Sequence, residues 1–158
     1  MATIGVYGFT AETFITALRR ADASALLDVR QRRGVRGSEY AWANSQRLQA
    51  ALRAAEIPYR HLPELAPTTE LRELQYREDD RLGVGKRSRV ELAPEYRERY
   101  TREILDRVDL GQLLAGLPTG GLPALMCVER DPQACHRSVV ADRLAREHGA
   151  SVVDLVPD

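Results

Sequence analysis

Ser24-Ala25-Leu26-Leu27-Asp28-Val29-Arg30 is a nearly continuous apolar run that breaks into charge at Asp28 and Arg30. A strand apolar on both sides belongs inside a parallel sheet covered by helices on each face, and the charges mark where the chain leaves it. Working outward, Thr3 to Gly8 reads as an earlier strand, and Thr10 caps a helix whose Phe14, Ile15 and Leu18 share a face. Downstream, Asn44 is placed to cap a helix carrying Leu48, Leu52 and Ala55, and Ile57 to Leu62 reads as the third strand.

The second half repeats the alternation. Pro94 opens a helix in which Tyr96, Tyr100, Ile104 and Val108 recur every fourth residue, which predicts one buried stripe. Leu122 to Val128 reads as a buried strand, residues 129–134 as a turn, and the helix that follows carries Val139, Val140 and Leu144 until Gly149 stops it. Val152 to Val156 is the last strand. Strands alternating with helices predict a single three-layer α/β domain over residues 1–158, with a mostly parallel sheet of about five strands and helices on both faces. Residues 31–43 read as a loop. Residues 63–93, with a polar helix around Thr69 to Leu82, read as a mobile excursion from the domain.

The 158 residues suit one core, and 44% hydrophobic with 29% charged residues is ordinary globular composition. The 23 basic and 23 acidic residues cancel, so no global field draws the chain onto nucleic acid and any such site must be local. No apolar run reaches the roughly 20 residues of a membrane span. Two cysteines and a first segment that enters directly into a strand pattern fit a reducing, cytoplasmic setting.

In open parallel sheets ligands settle beyond the carboxyl ends of the strands, and the polar groups delivered there are the candidates. Glu129, Cys135, His136 and Arg137 crowd the turn after the fourth strand, where backbone N–H groups favour an anion. Cys135, beside His136 and Arg137, is the candidate nucleophile, although a cap at Asp131 with Pro132 in the first helical position would set it a turn inside the helix. The bland alternative makes Cys127 a core strand residue and Cys135 a small buried helix residue. Arg30, Arg32, Arg33 and Arg36 precede Tyr40 and Trp42, a mixture suited to phosphate pairing and base stacking, or to a solvated loop pinned by Trp42. Asp28 is either a carboxylate base or the partner that orients Arg30. Gly83 to Ser88 imitates a phosphate loop, but Arg87 occupies the Ser/Thr position and Asp80 that of the first glycine.

Four segments then carry a resemblance: Thr3-Ile4-Gly5; Leu27-Asp28-Val29-Arg30; Ile57-Pro58-Tyr59 with Leu62-Pro63-Glu64-Leu65; and Cys127-Val128-Glu129 followed by Cys135-His136-Arg137. At these spacings the chain resembles the bacterial and archaeal family called domain of unknown function 488. The resemblance implies an α/β fold and directs attention to Asp28, Arg30, Cys127, Glu129, Cys135, His136 and Arg137; it implies no particular reaction.

The leading expectation is a small enzyme, a hydrolase or transferase, acting on an anionic substrate such as a nucleotide or nucleic acid. Glu129, Cys135, His136 and Asp28 are its catalytic candidates, and Arg30, Arg137, Arg32, Arg33, Tyr40 and Trp42 its binding candidates. Two alternatives stand beside it: a non-catalytic nucleic-acid-binding module using residues 30–42, and a metal-binding protein through Cys127, Cys135 and His136. Those three lack the short Cys-x-x-Cys spacing usual in zinc sites. No cofactor and no oligomeric state is indicated.

Overall fold

The computed structural model describes all 158 residues. Its core is a five-stranded, wholly parallel sheet of β1 (Ala2–Ile4), β2 (Ala23–Asp28), β3 (Tyr59–His61), β4 (Leu122–Met126) and β5 (Val153–Leu155), ordered β3-β2-β4-β1-β5. The apolar run over residues 24–29 is therefore flanked on both sides, with Asp28 aligned to His61 of β3 and to Met126 of β4. Alternate residues of the strands feed two cores. Leu26, Ala124, Met126, Ala2 and Ile4 pack with α1 (Ala11–Arg20) and α2 (Ser45–Ala54) through Phe14, Leu18, Leu48 and Leu52. Ala25, Leu27, Val29, Leu125 and Cys127 pack instead with α3 (Thr69–Leu82), α4 (Pro94–Glu103), α5 (Leu110–Leu114) and α6 (His136–His148).

This is the three-layer α/β domain that the sequence predicts, and the helices stand on both faces because the strands are apolar on both. No helix is long and apolar enough to cross a membrane.

Local chemistry sets the boundaries. Thr10 caps α1 reciprocally: its side chain accepts from the Thr13 amide at 3.2 Å, and the Thr13 hydroxyl accepts from the Thr10 amide at 2.9 Å. Replacing Thr10 by Ala is expected to cost about 1 kcal/mol in denaturant unfolding. A change below about 0.3 kcal/mol would show that packing alone holds this end. Gly149 closes α6 in the left-handed conformation at φ 64°, where a β-carbon is disfavoured.

Three expectations are corrected. Residues 31–43 are not all loop, since Ser38–Ala43 form a 3-10 helix too short to leave a periodic pattern. The tyrosine stripe does not run on to Val108: α4 ends at Glu103, Ile104 takes φ −121° and ψ −65°, and only Tyr96 and Tyr100 are helical. Asp131 and Pro132 do start a helical turn, but it is a separate 3-10 turn over Pro132–Ala134. The chain then re-extends at Cys135, φ −139° and ψ 144°, so Cys135 is the N-cap of α6 rather than an interior residue.

Residues 63–93 hold a 3-10 turn (Pro63–Leu65), then α3 and an irregular return to α4. Leu71, Leu74, Gln75 and Asp79 are the buried residues of α3. Arg89 of the return forms a bidentate pair with Asp79, and Gln75 bridges from the Asp79 carboxylate to the Ala93 amide.

Candidate functional site

The connection from β2 leads to the α1/α2 layer and that from neighbouring β4 leads to α6 on the opposite layer. Between such strands the connections diverge and leave a crevice at the carboxyl edge. A cavity of about 430 Å³ occupies it, lined on the floor by Cys127, Glu129, Cys135 and His136. Nine of its 23 lining residues come from residues 63–93, so that segment forms one wall of the site.

His136 is buried at the start of α6, and its Nε2 lies 2.9 Å from the Val29 carbonyl at the end of β2. A carbonyl only accepts, so Nε2 carries the hydrogen and donates it. That leaves Nδ1 facing Cys127 Sγ at 3.9 Å and Cys135 Sγ at 3.8 Å. The Tyr100 ring backs the imidazole with 5.3 Å between centroids, and its hydroxyl donates to the Leu65 carbonyl. The ring is fixed from three directions. The two cysteines are free thiols held unequally: the neighbouring Cys135 and burial push the Cys127 thiol well up. Burial alone would also raise Cys135, but hydrogen bonding to Cys127 and the neighbouring His136 and Arg137 bring it well below the usual range.

Glu129 follows two residues after Cys127, its side chain 17% exposed and 3.8 Å from Arg89. Burial pushes its carboxyl up to about 7, against the opposing charge of Arg89.

The predicted anion-binding residues divide. Asp28 is fully buried and accepts from the Arg30 amide, from Arg30 Nε and Nη2, and from the Tyr59 hydroxyl; Arg30 Nη1 also donates to the Ala43 carbonyl. Arg137 is 1% exposed and donates to the carbonyls of Glu129 and Arg130 and to Thr3. Both arginines tie loops to the sheet. Arg32 lines the cavity, whereas Arg33 lies against a shallow surface depression elsewhere. The Tyr40 hydroxyl accepts from the Gly8 amide, and Trp42 packs on Phe14 at 5.0 Å with a buried Nε1 that has no partner. Neither aromatic lines the cavity.

Sequence reasoning missed Arg72, Lys86 and Arg89. With Arg30, Arg32 and Arg36 they give the lining six basic residues against two acidic ones, Glu73 and Glu129. Arg30 and Arg89 are paired by Asp28 and Asp79. The other four, Arg32, Arg36, Arg72 and Lys86, have no carboxylate within 4.0 Å. Arg72 is aimed by Gln31 and by the Tyr76 hydroxyl, and Lys86 lies 3.6 Å over the Tyr76 ring. One signal for this wall lay in α3, where Gln75 and Asp79 occupy the same stripe as Leu71, polar residues at core-facing spacing.

A family model described as "Domain of unknown function DUF488" matches residues 10–144. No curated protein and no solved structure matches the chain.

Proposed function

The chain belongs to the family described as domain of unknown function DUF488, and on that footing we propose that it is an enzyme acting on a small anionic, phosphate-bearing substrate at the carboxyl edge of its sheet. One observation carries the reading: four cations without carboxylate partners surround a cavity whose floor holds two thiols, an imidazole and a carboxyl group. Like charges are costly to gather unless an anion offsets them. Arg32, Arg36, Arg72 and Lys86 bind and orient the substrate, the half-buried Arg72 being the most constrained of them. Glu129 reaches the same floor and is the group placed to exchange a proton with it. The reaction class is transfer or hydrolysis of the anionic group.

The cavity lies within the roughly 300–1,000 Å³ range typical of small-ligand sites. A long nucleic-acid platform over residues 30–42 has less support, because Trp42 and Tyr40 spend their faces on Phe14 and Tyr7.

Calorimetric titration with inorganic phosphate and with a nucleoside monophosphate tests the proposal. Binding is expected to weaken at least about tenfold in Arg72→Ala, the loss of one charge-assisted hydrogen bond, and to fall with added salt. Absence of anion binding, or binding indifferent to Arg72→Ala and Arg32→Ala alike, would remove the proposal.

A further inference from the structure

We propose that Cys127, Cys135 and His136 bind one zinc-class divalent ion through two thiolates and Nδ1, with the fourth coordination position open to the cavity. This deepens the reading above by supplying its reactive centre, and it rests on that reading only for what the fourth position faces.

Convergence of the donors is the first ground. The two sulfurs and the ring nitrogen all lie within 4.8 Å of one another, with Nδ1 at 3.8 Å from one sulfur and 3.9 Å from the other. Tetrahedral zinc, with Zn–S about 2.3 Å and Zn–N about 2.0–2.1 Å, sets sulfur and nitrogen roughly 3.6 Å apart. The two sulfur–nitrogen distances would close by only a few tenths of an ångström, and the sulfurs, within 4.8 Å of each other, by at most about 1 Å toward the roughly 3.8 Å of a tetrahedral site.

A hydrogen-bond account fits less well. In the neutral ring Nδ1 has one lone pair and accepts from one thiol, so the ring bond accounts for only one of the two near-equal sulfur distances. A common centre between three donors accounts for both. The opposite ring nitrogen already has the partner a metal-bound histidine requires, since Nε2 donates to Val29 and so fixes the tautomer that exposes Nδ1.

Charge and framework agree with this assignment. Two thiolates neutralise a divalent ion, so the buried trio accepts one without adding net charge. The donors come from the end of β4 and the start of α6, rigid elements joined by a 3-10 turn. That is why they lack Cys-x-x-Cys spacing: the turn, not a knuckle, brings Cys135 and His136 back to Cys127. Three protein ligands with an open position is the arrangement of catalytic zinc sites, and here that position faces the cation-lined cavity.

The test is titration of the full chain, reduced and stripped with a chelator, first with Co²⁺ and then with Zn²⁺. One Co²⁺ per chain is expected, with the intense visible bands of tetrahedral cobalt and a sulfur-to-cobalt charge-transfer band that Zn²⁺ abolishes. Cys127→Ser and Cys135→Ser should each weaken the charge-transfer band, and His136→Ala should lower affinity by more than the roughly 10–100-fold typical of outer-shell changes. Zinc should also protect both cysteines of the wild-type chain from alkylation, a readout independent of how the variants fold. Weak octahedral cobalt bands, or cysteines that oxidise to a disulfide while the reduced protein takes up no metal, would overturn the site. Phosphate binding by metal-free protein that takes up no cobalt would remove the metal site and leave the anion reading intact. Cobalt uptake with no phosphate binding would do the reverse.

Discussion

Asp28→Ala is expected to destabilise the protein by about 3–5 kcal/mol in urea or guanidinium unfolding, the range for breaking a buried ion pair from one side. Asp28 is 0% and Arg30 2% exposed, so deleting the carboxylate leaves a guanidinium in the interior with its Nε and Nη2 donors unpaired. The Tyr59 hydroxyl loses its acceptor in the same step. Arg30→Ala exposes the complementary fault, a buried carboxylate that keeps only the residue-30 amide and the Tyr59 hydroxyl as donors. The double variant should be less damaging than the sum, because removing both charges removes the uncompensated one. The measurement also separates the two roles open to Asp28 from sequence. A variant within about 1 kcal/mol of wild type that had nonetheless lost phosphate binding would make Asp28 a ligand-handling group rather than the clasp of the β2 loop.

The pairing of Asp28 with Arg30 was one of two roles the sequence left open, because the charges that close an apolar run suit either a clasp or a carboxylate base. The parallel sheet, the Thr10 cap and α3 were legible, each of which rests on local periodicity or capping chemistry. Of the candidates read from the sequence, Cys127, Glu129, Cys135 and His136 come together on one cavity, whereas Asp28, Arg137, Tyr40 and Trp42 do not line it. What escaped is non-local. Whether an arginine grips substrate or the protein itself depends on its neighbours in space: Arg137 turns inward onto carbonyls eight and seven residues before it, while Arg72 waits on a wall more than forty residues from Arg30 in sequence. The start of α6 escaped for another reason. Asp131-Pro132 is a valid start signal for either a 3-10 turn or an α-helix, and the choice between them moves Cys135 from inside the helix to its cap.

Gly5→Ala is expected to cost on the order of 3 kcal/mol, the upper part of the usual range for overpacking, and to weaken phosphate binding together with stability. A β-carbon at Gly5 would stand 1.9 Å from the Glu129 carbonyl oxygen and 2.8 Å from its carbon, both backbone atoms. Neither side can yield easily. Beyond β1 the amides of Val6 and Tyr7 both donate to the Val128 carbonyl at 3.0 Å, and the Cys127 amide donates to Ile4, which pins the two strand ends together. On the far side Arg137 Nη1 donates to that same Glu129 carbonyl at 2.7 Å, and Nη2 would be 3.3 Å from the new methyl. The clash must therefore be relieved by moving the Glu129 peptide and Arg137 as a unit, which carries the Glu129 side chain out of its place on the cavity floor. Gly85→Ala is the control, since its β-carbon meets only the Ser88 hydroxyl at 3.4 Å and its change should stay within about 0.5 kcal/mol. If Gly5→Ala melted and bound phosphate like Gly85→Ala, the strand ends would be free to part, and the floor of the site would not depend on the β1–β4 seam.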